Sequence, residues 1–298
     1  MKRHLYLLPF LYCSIVVATD QIVICTAANN GYLGPLLNLI GGLHKNDFDA
    51  IQEIAVFNLG LSETNIEKLN TIEKIQLYEI EQVHPDILKS FKTRKGGKPV
   101  PGWYAWKPVA IKQMLDKYPT VLWIDAGTTV NKSLSDLFEY INYKGYFFQS
   151  TCGQKMREHT TRYIIERFGL HKPDLKWLLD KQGLQPGFAG FTRQVYDSII
   201  IPLYEMAKEL RPYEDDGTAP GGFGNARHDQ TLFSLLVLLN KLHIFYTYHF
   251  FDKEITLDLP DGKTAQFSFS NKHNGHIFFS RTKPNLAYFK QFIRYKDN

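Results

Sequence analysis

Residues Trp106 to Val130 read WKPVAIKQMLDKYPTVLWIDAGTTV, and the fold can be read outward from them. The first half predicts a helix from Pro108 to about Lys117, because Pro108 suits a first helical position and sets Lys107 beside the helix N-terminus. Val121-Leu122-Trp123-Ile124 then predicts a buried strand, and it ends in Asp125. The same alternation recurs upstream. Gln21 to Cys25 is a strand pattern broken by Asn29-Asn30-Gly31, and Leu36, Leu37, Leu39, Ile40 and Leu43 follow at helical spacing. Ile54 to Phe57 predicts a second strand, Ser62-x-x-Asn65 opens a polar helix to about Asn70, and Lys74 to Ile80 is a third strand. Strands alternating with helices imply an α/β protein with a mostly parallel sheet covered by helices on both faces. In such sheets the ligand lies beyond the carboxyl ends of the strands, so Asn29, Asn30 and Asp125 are the first residues to examine.

Downstream, the pattern predicts a short helix from Ser133 to Tyr140, a strand from Tyr146 to Gln149 and a helix from about Lys155 to Phe168. Gly187 to Phe191 leads to a helix from Val195 to Leu210. Arg211 to Arg227 is a Gly/Pro-rich loop, followed by a helix from Asp229 to Leu239, a strand from Ile244 to Tyr248 and a β-rich C-terminal part. No repeat or interdomain linker interrupts this order.

Composition removes several classes. With 44% hydrophobic residues in 298, the chain has too much apolar content for a disordered protein and enough length for a large core. Three cysteines exclude a disulfide scaffold and a cysteine-built zinc site. Residues 1–18 carry a short basic start (Lys2, Arg3) and an apolar stretch ending at Val16-x-Ala18. They read as a cleaved signal peptide, too short and too interrupted by Pro9 for a stable membrane span. Residues 19–298 then form a single domain expected in a secretory lumen, a periplasm or the medium. Without the signal, 33 basic side chains face 30 acidic ones, too small an excess to argue for nucleic acid. Aromatic content is high at 14%, with 21 Phe and 17 Tyr.

Four constellations carry chemistry. Lys107 beside a helix N-terminus suits a phosphate-bearing ligand, although a solvated lysine is the plainer alternative. Asp125 ends a very apolar strand, where a carboxylate needs a cation or hydrogen-bond donors; capping the next turn is an equal alternative. In Thr26 to Leu43, Tyr32 could stack on a flat base or sugar and Asn29 or Asn30 could read polar edges, against an ordinary tight turn with a packed tyrosine. Arg227-His228-Asp229-Gln230 offers a carboxylate facing a substrate behind a loop that could act as a lid; a helix N-cap is the structural alternative for Asp229. A fourth stretch, Lys272-His273-Asn274-Gly275-His276, holds histidines suited to a divalent metal. No P-loop, G-x-S-x-G, H-E-x-x-H or catalytic-cysteine signature occurs.

In this order the motifs resemble a glycosyltransferase of the GT-A fold, closest in layout to the glycogenin and galactinol-synthase-like family of nucleotide-diphospho-sugar transferases. The resemblance runs from about Gln21 to His276. It implies a GT-A type, Rossmann-like sheet with a β-rich C-terminal part. It also implies that Thr26, Asn29 or Asn30, and Tyr32 hold the nucleotide, that Lys107 touches the diphosphate, and that Asp125 belongs to an Asp-x-Asp metal motif. Asp229-Gln230 would lie beside the donor sugar, and His273 or His276 would be a further metal ligand. The second aspartate of the metal motif is replaced by Gly127, so Mn²⁺ or Mg²⁺ would be held by Asp125, a histidine and diphosphate oxygens.

The expected activity is transfer of a sugar from a nucleotide-diphosphate donor, a UDP-sugar first, to an acceptor hydroxyl on a glycan, protein or small molecule. Trp103, Tyr104, Trp177 and Phe188 are the candidate acceptor platforms, with core the favoured role for Phe188. The alternative is a non-catalytic GT-A-fold protein that binds a glycan or a partner, which the loss at Gly127 favours. A nucleotidyltransferase is a third reading, opposed by the lack of an acidic pair for two-metal chemistry.

Overall fold

The computed structural model describes residues 22–92, 99–246, 253–269, 278–279 and 287–296. The signal reading at 1–18, most of the basic loop after Lys92, and His273 and His276 lie outside the described residues.

Six strands form the central sheet: β1 (Ile22–Ala28), β2 (Ile51–Asn58), β3 (Ile75–Glu79), β4 (Thr120–Ile124), β5 (Tyr146–Phe147) and β6 (Phe188–Thr192), in the order β3-β2-β1-β4-β6-β5. Pairing is parallel from β3 across to β4, with Ile24 opposite Ile54 on one side and Leu122 on the other. β6 runs antiparallel to both β4 and β5, placing Ala189 opposite Trp123. The expected α/β class and the mostly parallel sheet are both present.

Every residue of β1 and of β4 is buried, which explains why these strands read as unbroken apolar runs. Their side chains alternate between two cores. Val23, Cys25, Val121 and Trp123 face one core with helix α3 (Trp106–Lys117), which supplies Val109, Ala110, Ile111 and Met114. Ile22, Ile24, Leu122 and Ile124 face the other, with Leu36, Leu39, Ile40 and Leu43 of α1 (Leu33–Asp47). Leu69 of α2 (Glu63–Asn70) and Leu137 and Ile141 of α4 (Ser135–Lys144) complete that second core. Asp47 at the end of α1 accepts from the Leu134 backbone N–H (3.0 Å) and the Ser133 hydroxyl (2.5 Å), binding α1 to the start of α4.

The sequence reading fails where polar residues interrupt it. The expected helix from Lys155 to Phe168 is a single 3₁₀ turn, Met156–Glu158, followed by α5 (Arg162–Arg167). Thr160 bonds back to the Met156 carbonyl (2.7 Å), and Thr161 caps α5 by accepting from Ile164 N–H (3.4 Å). Threonine satisfies such ends better than helix interiors. The expected helix from Val195 begins with a wide π turn at Tyr196–Ile200 before α6 (Ile201–Glu209). Pro202 lacks the N–H that would continue an ordinary α ladder there. The strand expected from Ile244 is reduced, within residues 244–246, to one bridge between Gln149 and Phe245. The C-terminal part contains the expected strands, as a hairpin of Lys253–Asp258 with Thr264–Phe269 and a pair of Phe278–Phe279 with Thr128–Thr129. It also contains an unexpected short helix, Ala287–Lys290, against α1. Among the described residues, no helix is long and apolar enough to cross a membrane.

Candidate active site

Asp125 follows the last residue of β4, and Trp123 lies two positions earlier, hence on the same face of the strand. That face is covered by α3, so a side chain from the first turn of α3 can reach Asp125. The residue that does so is Lys107. The helix starts at Trp106 rather than Pro108, so Lys107 sits inside the first turn with a side chain only 5% exposed. Its ammonium stands 3.1 Å from Asp125 Oδ1 and 3.1 Å from Asp229 Oδ2. Asp125 Oδ1 also accepts from Trp123 Nε1 (2.8 Å), and the ammonium lies 5.4 Å from the Trp123 ring centre. Burial opposes the charge on Lys107, but the two carboxylates outweigh it and hold its pKa well above the ordinary lysine value.

Asp229 belongs to α7 (His228–Leu239), where it sits in the first turn behind Arg227 at the cap position, so the N-cap alternative fails. Its side chain is 9% exposed against 41% for Asp125. Among the described residues Asp229 Oδ2 accepts no well-angled hydrogen bond, so its partner is the Lys107 charge. Gln230 diverges from it: Nε2 points to Gln154 Oε1 at 3.4 Å, toward the strand pair Ser150–Lys155 and Gln182–Leu184.

The turn after β1 is built differently from its sequence reading. Thr26 is not in the turn but fully buried inside β1, and its hydroxyl meets no partner among the described residues. Asn30 Oδ1 accepts from Ser62 N–H and Asn65 Nδ2, both at 2.8 Å, and thereby ties the turn to the start of α2. Asn29 Oδ1 is buried with no partner among the described residues, and the Tyr32 ring is 44% exposed. Tyr32 is therefore available for stacking, whereas the carbonyl oxygen of Asn30 is already occupied.

An aromatic wall borders the lysine. The backbone is left-handed at Gly102 (φ 49°), Trp103 (φ 49°), Tyr104 (φ 67°) and His228 (φ 29°). A Cβ on Gly102 would stand 1.9 Å from the Ile87 carbonyl oxygen, so only glycine fits the bend that presents Trp103. Trp103 is buried, stacked on Phe91 with ring centres 5.0 Å apart, and it lies 5.1 Å from His228. His228 donates Nδ1–H to the Tyr213 carbonyl (2.8 Å), and burial lowers its pKa. Burial first, then the Asp229 charge, pushes the Tyr104 phenol up to about 12; Lys107, Tyr32 and Asp125 are close enough to act on it as well. One locus thus gathers Tyr32, Tyr104, Lys107, Asp125 and Asp229. Phe188 is core, as favoured, and Trp177 stands exposed on a separate 3₁₀ turn. Trp123 and His228 lie inside the motifs read from the sequence but have no role assigned there; the i,i+2 spacing of Trp123 and Asp125 is the signal that could have paired them.

With Lys107 protonated the trio has a net charge of −1, and Asp125 leaves part of its carboxylate in solvent. Among the described residues no three His, Cys, Asp or Glu side chains form a metal cage, and Gly127 has no side-chain donor to add. A divalent cation shared between Asp125 and phosphate oxygens of a ligand fits this donor set, since Mg²⁺-type ions use one or two carboxylates plus substrate phosphates.

No family model matches the chain, and no curated protein sequence matches it. Among solved structures it is similar to the galactosyltransferase LgtC in complex with donor and acceptor sugar analogues, at 14% identity and a TM-score of 0.45, over 77% of this chain and 74% of that one. It is similar to mouse xyloside xylosyltransferase 1 in apo form at 14% identity and TM-score 0.45, over 77% and 85%. Core-mannan synthase A from Aspergillus fumigatus, in an Mn/GDP form, matches at 10% identity and TM-score 0.47, over 76% and 72%.

Proposed function

We propose that the protein transfers a glycosyl group from a nucleotide-diphosphate sugar to an acceptor hydroxyl. The observation that carries this reading is the Asp125–Lys107–Asp229 trio at the carboxyl end of the sheet, in which α7, far along the chain, brings Asp229 to the Lys107 and Asp125 of one continuous helix–strand stretch, beside the exposed Tyr32 ring. Carboxylates held by a buried ammonium can accept from sugar hydroxyls while the ammonium donates, and Tyr32 offers a stacking face for the base. In the reaction the bond from the anomeric carbon to the diphosphate oxygen breaks and a bond to the acceptor oxygen forms. The negative charge that develops on the departing diphosphate favours positive groups; the first turn of α3 and Lys107, whose ammonium is already shared by two carboxylates, supply part of that charge. Asp229 either takes the acceptor proton or supports the donor sugar. A divalent ion on Asp125, when bound, would add neutralisation of the diphosphate. UDP-sugars are the first donors to test, and the signal reading at residues 1–18 supports work in a secretory lumen supplied with such donors, or export to meet the donor elsewhere.

The test is donor hydrolysis and transfer across a panel of nucleotide sugars, with and without Mn²⁺. Lys107→Ala and Asp125→Ala are expected to lower turnover at least about a hundredfold, the usual cost of removing one preorganised charge-stabilising group. Turnover unaffected by both substitutions sinks the assignment. The second reading, a non-catalytic glycan binder, is favoured by Gly127; calorimetry with UDP and GDP separates the two, because a pure glycan binder shows no nucleotide affinity.

A further inference from the structure

The loop between α6 and α7 was expected to serve as a flexible lid, and its bonding says otherwise. Asp215, buried at 6% exposure, accepts from Gly217 N–H (3.0 Å) and Gly224 N–H (2.6 Å) and so clasps both ends of the loop. Asp216 accepts from the Thr218 N–H (2.9 Å), and the Thr218 hydroxyl accepts from Arg162 N–H (2.8 Å). Asn225 donates to the carbonyls of Glu158 and Pro220, and its own carbonyl accepts from His159 Nδ1 (2.8 Å). The loop is thus a fixed wall. At its crest Phe223 leaves 52% of its surface in solvent, with its ring edge against Trp103 at 6.2 Å. From there the aromatic row passes through Trp103 and His228 (5.1 Å) to Tyr104 (5.8 Å from His228), whose phenol lies within the field of Asp229 and Lys107.

We propose that this row is the acceptor subsite, that it takes a carbohydrate, and that Phe223 is the residue that selects it. The inference rests on the glycosyl-transfer reading and names its second substrate. A sugar has an apolar C–H face that packs on an aromatic ring and a rim of hydroxyls that needs polar partners, and the row supplies the first at Phe223 and the second at Tyr104 and Asp229. A peptide acceptor laid along the loop as an added strand would need free backbone groups to pair with. In this loop the N–H groups of Gly217, Thr218, Gly222, Gly224 and Asn225 are already bonded within the loop. The cost of holding Trp103, Tyr104 and His228 in left-handed backbone is the kind of strain that persists where it shapes a functional surface.

The experiment measures transfer from the best nucleotide-sugar donor to methyl glycosides of glucose, galactose, mannose and xylose, with a Ser/Thr peptide as the competing acceptor. At least one glycoside is expected to accelerate donor turnover. Phe223→Ala is expected to raise the KM for that glycoside about tenfold, with a much smaller change in kcat, and Phe223→Tyr to restore it. Tyr143→Ala, which removes a comparably exposed aromatic ring on α4, is expected to behave as wild type. Donor turnover that responds to the peptide and to no glycoside overturns the inference, as does a KM unmoved by Phe223→Ala; in both cases the transfer reading survives. Absence of donor turnover with every nucleotide sugar overturns both.

Discussion

An ammonium 3.1 Å from each of two carboxylates, with almost none of its side chain in water, is a group whose removal is felt in stability as well as activity. Lys107→Met keeps the volume but leaves Asp125 and Asp229 facing each other without the shared cation. Breaking a buried pair in this way costs about 3–5 kcal/mol, and urea unfolding of the variant is expected to show a loss of that order. Adding Asp229→Asn to Lys107→Met is expected to recover part of it, because the second change removes the uncompensated charge. The pH dependence has a definite sign. The folded pKa of Lys107 lies above its unfolded value, so its contribution is complete below about pH 10 and disappears as pH rises through the folded pKa. Wild-type stability is therefore expected to fall in strong alkali more steeply than that of Lys107→Met. Sequence reasoning found Lys107, Asp125 and Asp229 one by one. It saw Lys107 as a free cation for phosphate, because nothing local says that a residue at position 229 will neutralise one at 107.

At the scale of elements, the site depends on how short segments end. Thr161 caps α5, and Thr161→Ala is expected to cost about 1 kcal/mol of unfolding free energy. Asp215 has a different role, since its two backbone bonds keep the Phe223 loop in one shape. Asp215→Ala is expected to speed hydrogen exchange at Gly217 and Gly224 and to open the loop to proteases, with α7 itself still protected. Unchanged exchange at those amides would show that the clasp is not what orders the loop. Glycine-rich composition suggested mobility here. Positive φ at Gly217, Gly221, Gly222 and Gly224 shows instead that the glycines let the chain turn tightly enough for Asp215 and Asn225 to bind it.

Across the whole molecule, residues 287–296 return to the N-terminal half. A Cβ on Gly41 of α1 would meet the Phe289 carbonyl at 1.9 Å, Ile293 is buried, and Tyr295 bridges to Ile72. His44, buried in α1, accepts the Arg294 N–H at Nδ1 (3.0 Å) and so pins this segment. Burial, joined by the charges of Arg294 and Lys74, lowers its pKa from 6.5 to about 4, against a smaller opposing effect of the Glu73 carbonyl. The folded protein thus binds fewer protons than the unfolded chain between these values. The contribution of His44 is complete above about pH 6.5 and is lost progressively as pH falls to about 4, a change on the order of 3 kcal/mol. Thermal melts are expected to lose several degrees over that interval, and His44→Asn, which keeps an acceptor but does not titrate, to flatten the profile. A variant with the same acid slope as wild type would place the loss at other groups.

The α/β class and the parallel core of the sheet were legible in the sequence, because burial on both faces writes an unbroken apolar run into β1 and β4 and amphipathic spacing into α1. These are local consequences of a non-local core, repeated over enough residues to be read. The breaks at Thr161 and Pro202 were less legible, since one or two residues outweigh a longer pattern. What only tertiary structure decided is partnership: that Lys107 is shared by Asp125 and Asp229, that Asn30 is taken up by α2 while Tyr32 stays open, and that Phe223 stands fixed against Trp103. Each depends on a distance between segments far apart in the chain, and such a distance is set by how the sheet and its two helical layers pack.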